Sequence, residues 1–374
     1  MKLKILFLST SLDLGGADKE VIKLGFNLVK RGYEVKLISM TALGIMGLEA
    51  QSQGLDVTSL NMPRGIPDIS VIPTFINIVK DWKPHIIHSH MFHANIFARL
   101  IKLLSNVPVL ICTAQNIDES HGQIWRNIAY RISDFNCNIT TNVSQAGIER
   151  YIKMGLISRH KARFIPNSIN ISEFYHCSEL RNKIRQELSV TNQFIWLAVG
   201  RFSEQKDYPN MIRAFSSTLD KMPETLLLIA GQGELRTEVE NIVKLFSLES
   251  NIKFLGPRRD ILALMNAADG YLMSSAWEGM PLVLLEAAAT QLPIVATDVG
   301  GIKETLLDGE SGFLAPPQNS EALAIVMQKL MKMSDKERLE MGKRGRKYIV
   351  SKYSTEKIIK KWEDLYFELL EKNK

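Results

Sequence analysis

Short apolar, β-rich runs alternate with longer segments of helical periodicity along the whole chain, and that alternation decides its fold class. LKILFLS (3–9), YEVKLIS (33–39), HIIHS (85–89), PVLICTAQ (108–115) and NITTNVS (138–144) read as near-continuous apolar strands. Between them, segments such as 19–31 and 95–104 place apolar residues at i, i+3 and i+4, the spacing of one helix face. Strands buried on both sides and joined by helical crossovers make a parallel, doubly wound sheet. A polar stretch at 166–180 interrupts the pattern. It restarts with FIWLAVG (194–200), TLLLIAG (225–231), IKFLG (252–256), GYLMSS (270–275) and PIVATD (293–298). The expectation is an α/β chain of two Rossmann-like domains facing each other across a cleft and joined near residues 170–190. Helices at 320–333 and 355–371 follow, with no strand between them.

A chain of 374 residues is long enough for two ordinary domains. With 45% apolar and 23% charged residues it reads as soluble and globular. Cys112, Cys137 and Cys177 are an odd number without a C-x-x-C pair, which argues against a disulfide framework or zinc ribbon and for a reducing compartment. The N-terminal apolar run ends in Gly-Gly with no cleavage-type site, so a buried strand rather than a signal peptide is expected. No stretch approaches the 18 uncharged apolar residues of a membrane span. Of the net charge of +6, the stretch 329–361 carries more than its share, with 12 Lys/Arg against 4 Asp/Glu. That run is read as a solvated helix face, and no nucleic-acid partner is expected.

In open α/β sheets, ligands bind beyond the carboxyl ends of the strands, and the motifs of this chain all fall there. Gly15-Gly16 follows the first strand and permits a tight turn and close backbone approach. Arg201 and Lys206 follow the strand ending at Gly200, and two cations across one loop suit a diphosphate. Gly231 and Gly233 end the next strand, and Pro257-Arg258 lies where a loop could offer backbone groups to a nucleobase edge. In SSAWEGMPLVLLEAAATQLPIVATDVGG (274–301), Pro281 favours the first turn of a helix beginning near Met280–Leu282. Glu278 then lies in the loop ahead of that helix and Glu286 on its second turn. Between them stand Gly279 and the N–H groups of Met280, Leu282 and Val283, an anion-friendly helix end. Two unpaired carboxylates in such apolar sequence are costly, and a polar ligand explains them. A nucleotide-sugar fits, with ribose on Glu286, diphosphate over the helix start and sugar hydroxyls near Glu278.

These motifs, in this order, resemble glycosyltransferase family 4. The resemblance rests on E-x7-E within the segment above, on LGGADKEVIKLGFNLVKRGYEV, IIHSHMFHAN, FIPNSIN, VGRFSEQKDYPN, AGQGELR and FLGPRRDI, and it covers the whole chain. It implies the GT-B fold, retention of anomeric configuration and no need for a divalent metal or other cofactor, the nucleotide-sugar being a substrate. It also implies a last helix that crosses back to the N-terminal domain. The expected divisions are residues 1–170 for an acceptor-binding domain, 171–353 for a nucleotide-sugar-binding domain and 354–374 for that helix. Carried over, Arg201 and Lys206 neutralise the donor diphosphate, Glu286 binds ribose hydroxyls, Glu278 sits by the donor sugar, and Gly16 approaches a phosphate across the cleft. The expected donor is a UDP-sugar, and the expected reaction is departure of its nucleoside diphosphate from the sugar and attack by the acceptor hydroxyl on the same face. A leaving-group oxygen takes the proton, with no covalent nucleophile. The expected acceptor is a glycan or a polyprenyl-diphosphate-linked glycan in surface polysaccharide synthesis. The expected location is cytoplasmic, with peripheral contact on the inner face of the membrane.

One departure from the family pattern is Gln115, in CTAQNIDESHG, where many relatives carry a His; Gln cannot carry a proton or charge. It makes Asn116 and His121 candidates on the acceptor side, and it keeps open a catalytically silent nucleotide-binding subunit. Four histidines fall in HIIHSHMFH: His85, His88, His90 and His93. His90 and His93 are candidates for positioning acceptor or donor, with His93 among the catalytic candidates. A metal-dependent hydrolase built on His88, His90 and His93 is the third reading. The amphipathic stretches 97–106 and 123–132 are expected to pack into the core. Their basic residues, with Trp125 and Tyr130, would also suit a membrane-surface helix.

Overall fold

A computed structural model of the chain describes every residue except Met1, Arg64, Ile66, Pro67, His121, Thr191, Asn373 and Lys374. The chain forms two compact units, Met1–Asn167 with Glu356–Lys374, and Ser168–Thr355.

The first unit holds β1 (Lys4–Ser9), β2 (Glu34–Thr41), β3 (Asp56–Met62), β4 (Ile86–His90), β5 (Val109–Ala114), β6 (Ile139–Asn142) and β7 (Ala162–Phe164). They pair in the order β3-β2-β1-β4-β5-β6-β7, every pair parallel. Along β1, Ile5 and Phe7 enter one apolar cluster while Leu6 and Leu8 enter another on the opposite side. Burial on both faces is why the strand reads as an unbroken apolar run. The second unit holds β8 (Phe194–Val199), β9 (Thr225–Ala230), β10 (Ile252–Gly256), β11 (Gly270–Met273), β12 (Ile294–Thr297) and β13 (Gly312–Ala315). Their order is β10-β9-β8-β11-β12-β13, again all parallel.

Three strands have no counterpart in the periodicity: β3, β7 and β13. Each lies at an edge of its sheet, where a strand is half-covered or short and needs no apolar run. The run 329–361, read as a solvated helix face, includes the helix Asp335–Tyr353. That helix carries most of the late basic run on its outer side, while Arg346 reaches in to the carbonyls of Phe174 and Ile171.

The division between units differs by a few residues from the expected one because residues near Ile169 are held by the second unit. Ile169 N–H donates to the Tyr353 carbonyl at 2.9 Å, and Thr355 N–H donates to the Ile169 carbonyl at 3.0 Å. Beyond this point the helix Thr355–Lys372 packs on the first unit. It buries Ile358, Ile359, Trp362, Leu365, Tyr366 and Leu369, an i, i+3, i+4 stripe. Trp362 meets the His88 ring at 4.5 Å between centroids, Tyr366 Oη lies 2.9 Å from His88 Nδ1, and Glu363 pairs with Arg31 at 2.7 Å.

Candidate active site

The strand order of the second sheet reverses between β8 and β11, and the loops following these two strands meet. Ala276 N–H donates to the Gln205 carbonyl at 2.8 Å, and Ser274 Oγ donates to the carbonyls of Lys206 and Asp207 at 2.8 and 2.9 Å. These backbone ties bring Lys206 to Glu278: Nζ and Oε1 are 2.6 Å apart. Ser275 Oγ donates to the same oxygen at 2.8 Å, and Gln205 Nε2 donates to Oε2 at 2.9 Å. Glu278 is therefore paired, contrary to the expectation of two unpaired carboxylates. The pairing follows from burial, since a carboxylate 5% exposed needs a cation or donors.

The loop after β12 supports this cluster from below. Thr297 Oγ1 donates to the Ser275 carbonyl at 2.6 Å, and Gly301 N–H donates to the Gly279 carbonyl at 2.9 Å. Gly300 has φ +53, and a Cβ there would stand 1.8 Å from the Glu278 carbonyl oxygen, so only glycine lets the two loops touch. The helix that follows runs Leu282–Ala289, with Pro281 as its N-cap in an extended conformation (φ −70, ψ 121). Pro281 thus stands just outside the helix rather than in its first turn. Met280 and Leu282 are buried and Val283 is half-buried, while Glu286, also 5% exposed, lies on the second turn as expected.

The β8 loop is clasped from its other side by the loop after β9. Gly231 has φ +152, and a Cβ would meet the Gly200 carbonyl oxygen at 1.9 Å; Gly231 N–H donates to the Gly256 carbonyl at 2.8 Å. Close approach of three loop backbones, rather than a simple turn, is what this glycine permits. Arg201, unlike Lys206, lies open on this loop. Its side chain is 73% exposed and lies 3.2 Å from Glu234, while a short turn, Glu204–Lys206, separates it from the buried cation. Arg258 is held by Asp260, with Nε to Oδ1 at 2.7 Å, so its guanidinium is committed locally; Pro257 precedes it just after β10.

In the first unit, Gly15 caps the helix Gly16–Lys30, and the anchor of that loop is Asp18. Its carboxylate accepts from Asp13 N–H at 3.0 Å, Gly15 N–H at 3.1 Å and Ser11 Oγ at 3.2 Å. Burial pushes the Asp18 carboxyl up to about 6 despite these bonds. The histidines separate by role. His88 is buried, with Nδ1 on Tyr366 and Nε2 2.7 Å from Thr113 Oγ1, and burial holds it well below its ordinary range. His90 is buried against Gln115, whose Nε2 lies 3.0 Å from His90 Nδ1, while His90 Nε2 has no partner among the described residues. His93 is exposed at the start of the helix Phe92–Leu104. The three do not form a metal cradle, because both ring nitrogens of His88 are spent on hydroxyls. Among the described residues no group of three His, Cys, Asp or Glu could hold a metal ion.

Gln115 and Asn116 begin a loop pinned by a residue not singled out in the sequence, Glu119. Its carboxylate accepts from Gln115 N–H at 2.8 Å and Tyr130 Oη at 2.6 Å, and burial pushes it up to about 7. The Asn116 carbonyl accepts from Asn142 Nδ2 at 2.9 Å. His121 lies outside the described residues. Asp18, Glu119, Gln205 and Ser275 were all missed. Ser275 and Gln205 lie beside Glu278 and Lys206 within the quoted motifs, and Asp18 at the third helical position after Gly15, signals that were available; Glu119 acts through space and left none.

The chain thus holds two doubly wound units, with an acid–base cluster at the switch point of the second. The model of Glycosyltransferase Family 4 matches residues 14–173, and that of Glycosyl transferases group 1 matches residues 180–348. The chain belongs to this family of glycosyltransferases. It is 26% identical over 318 residues to the UDP-Gal:alpha-D-GlcNAc-diphosphoundecaprenol alpha-1,3-galactosyltransferase of Escherichia coli, covering 82% of this chain and 81% of that one. It is 25% identical to the N-acetyl-alpha-D-glucosaminyl L-malate synthase of Bacillus anthracis, over 100% of this chain and 99% of the relative. Among solved structures, Anabaena Alr3699/HepE in complex with UDP superposes with a TM-score of 0.86 at 21% identity, covering 98% of this chain and 100% of that one.

Proposed function

We propose that this glycosyltransferase is retaining and metal-independent, and that it moves a sugar from a UDP-sugar to a glycan or polyprenyl-diphosphate-linked glycan in surface polysaccharide synthesis. The observation that carries the reading is the Lys206–Glu278 pair at the β8/β11 switch point. An ammonium has three N–H donors, so Lys206 can hold Glu278 and a phosphate oxygen together. Arg201, exposed on the same loop, adds a second cation. The N-terminus of the helix Leu282–Ala289 adds backbone donors. These groups supply the positive field that a divalent ion would otherwise bring. The bond between the anomeric carbon and the diphosphate breaks, and the acceptor oxygen bonds to that carbon on the same face. The acceptor proton passes to a leaving-group oxygen. Glu278 accepts from donor-sugar hydroxyls and Glu286 from ribose. Gly231 and the Pro257–Arg258 segment line the nucleotide side, while Gly15-Gly16 brings backbone to a phosphate. His90, His93, Gln115 and Asn116 serve the acceptor side.

The named relatives support the substrate classes. The Escherichia coli protein is named for transfer from UDP-Gal to a diphosphoundecaprenol-linked sugar, and Alr3699/HepE has been solved with UDP-glucose. Such an acceptor places the enzyme at the inner face of a membrane, in contact with its surface. The test is a panel of nucleotide-sugars scored for thermal stabilisation in EDTA, then for donor hydrolysis and transfer. A UDP-sugar should stabilise the chain and turn over without metal. Glu286→Ala should weaken UDP-sugar binding about tenfold or more, as expected when a buried carboxylate loses hydroxyl donors. Unchanged binding would remove the ribose assignment.

A further inference from the structure

Of the two stretches expected to pack into the core, 97–106 buries Phe97, Ala98 and Ile101 there, whereas 123–132 leaves an exposed apolar face. On the helix Ile124–Ser133, Tyr130 points inward and is buried. Ile124, Ile128 and Ile132, four residues apart, face solvent together with Trp125, and Phe135 of the next turn extends the stripe. Ile124 is 75% exposed and Phe135 71%. Leu103 and Leu104 of the helix Phe92–Leu104 are exposed beside them. The two helices are locked together by Arg99, which donates to the Tyr130 carbonyl and Ser133 Oγ, both at 3.0 Å.

The charges around this face are of one sign. Neither helix contains an Asp or Glu, while both carry basic residues: Lys102, Arg126 and Arg131. Lys161 Nζ reaches the Phe135 carbonyl at 3.2 Å, and the acids bonded to this region, Asp134 and Glu119, are both buried, the first accepting from Ser158 and the second from Tyr130. A patch of this size on a soluble surface marks an interaction site. An apolar stripe with Trp at its border, a basic rim and no carboxylate on either helix matches an anionic bilayer surface. No helix among the described residues is long and apolar enough to cross a membrane, so such contact is interfacial.

We infer that the exposed face of the helix Ile124–Ser133, continued by Phe135 and Leu103–Leu104, docks the chain on a lipid surface rich in anionic headgroups. The docked helix is bonded to the loop that carries Gln115 and Asn116. Arg126 Nη1 donates to the Glu119 carbonyl at 3.1 Å, Tyr130 Oη donates to the Glu119 carboxylate, and that carboxylate holds Gln115 N–H. The advantage to a lipid-linked acceptor rests on the proposed function; the docking itself does not.

The test is flotation of the full chain with phosphatidylcholine vesicles, with or without about one-third phosphatidylglycerol. The wild type should float with the anionic vesicles, less so at high salt, and Trp125 emission should shift to the blue, assigned by loss of the shift in Trp125→Phe. Ile128→Ser with Ile132→Ser should reduce binding about tenfold or more while melting temperature and UDP-sugar binding stay unchanged. Failure of the wild type to bind anionic vesicles overturns the inference. So does equal binding by the double variant, which would move the contact to another surface such as the helix Asp335–Tyr353. A chain that self-associates through this face, dissociated by the same substitutions and indifferent to vesicles, overturns it in favour of an interface between copies. Vesicle binding without any UDP-sugar binding leaves the inference standing and removes the proposed chemistry.

Discussion

Lys206 Nζ stands 2.6 Å from Glu278 Oε1, although 72 residues separate the two in sequence. Both side chains are largely buried, so each is the other's compensation. Lys206→Ala strands a carboxylate and should cost about 3–5 kcal/mol of stability. Lys206→Met combined with Glu278→Gln removes both charges and should recover most of that loss without restoring turnover. Denaturant unfolding beside donor hydrolysis separates the two effects. Single and double variants equally unstable would show that the pair is not coupled.

Arg201 offers the contrasting case. Its exposure means Arg201→Ala should leave stability within about 0.5 kcal/mol of wild type. Turnover should fall roughly tenfold to a hundredfold, the loss of one charge-assisted bond to the leaving group. Steady-state kinetics with the preferred UDP-sugar decide it, and an unchanged rate would take the leaving-group role away from this side chain.

Glu119 links pH to stability. Burial is the dominant cause of its rise from 4.5 to about 7, opposed by the bonds from Tyr130 and Gln115 N–H and by Arg126. The folded chain therefore keeps a proton that the unfolded chain has already released. This contribution is full below pH about 4.5 and is lost as pH rises to about 7. Glu119→Gln mimics the protonated acid. It should match wild type in melting temperature near pH 4.5 and exceed it above pH 7. A constant difference at all pH values would show that the carboxyl does not titrate in this interval.

Gly300 lets the β12 loop touch the Glu278 backbone. Gly300→Ala adds a Cβ at a positive φ and against a carbonyl, and should cost at least about 2 kcal/mol. It should also weaken UDP-sugar binding, because the loop bearing Glu278 has to move. Calorimetric titration with the donor, run below the lowered melting temperature, measures the second effect. Full retention of affinity would mean that Glu278 tolerates displacement.

Much of this was legible before any coordinates. Strands buried on two sides announce themselves, as β1 and β9 do, because apolar residues run unbroken through Ile5–Leu8 and Leu226–Ala230. Glu278 and Glu286 stood out for the complementary reason, as acids where burial would be costly. Edge strands such as β3, with exposed Asp56 and Thr58, carry no such signature. Glu119 was hidden, since nothing in the spacing ties it to Tyr130 on the helix that follows; Asp18, which holds the Gly15 N–H from the third helical position, was a local signal passed over. Helical spacing located the stripe Ile124–Ile128–Ile132 but could not say whether protein lay against it. The period of an apolar face is the same whether it meets a core or water.

The helix Thr355–Lys372 closes the first unit with residues made after the whole of the second. Trp362 and Tyr366 complete a core whose other members, Phe7 and Ile86 among them, leave the ribosome hundreds of residues earlier. The earlier-born half must therefore wait, one flank uncovered, until its neighbour has been synthesised. A messenger cut short within the second unit would yield a first unit that sticks to other chains rather than an independent module.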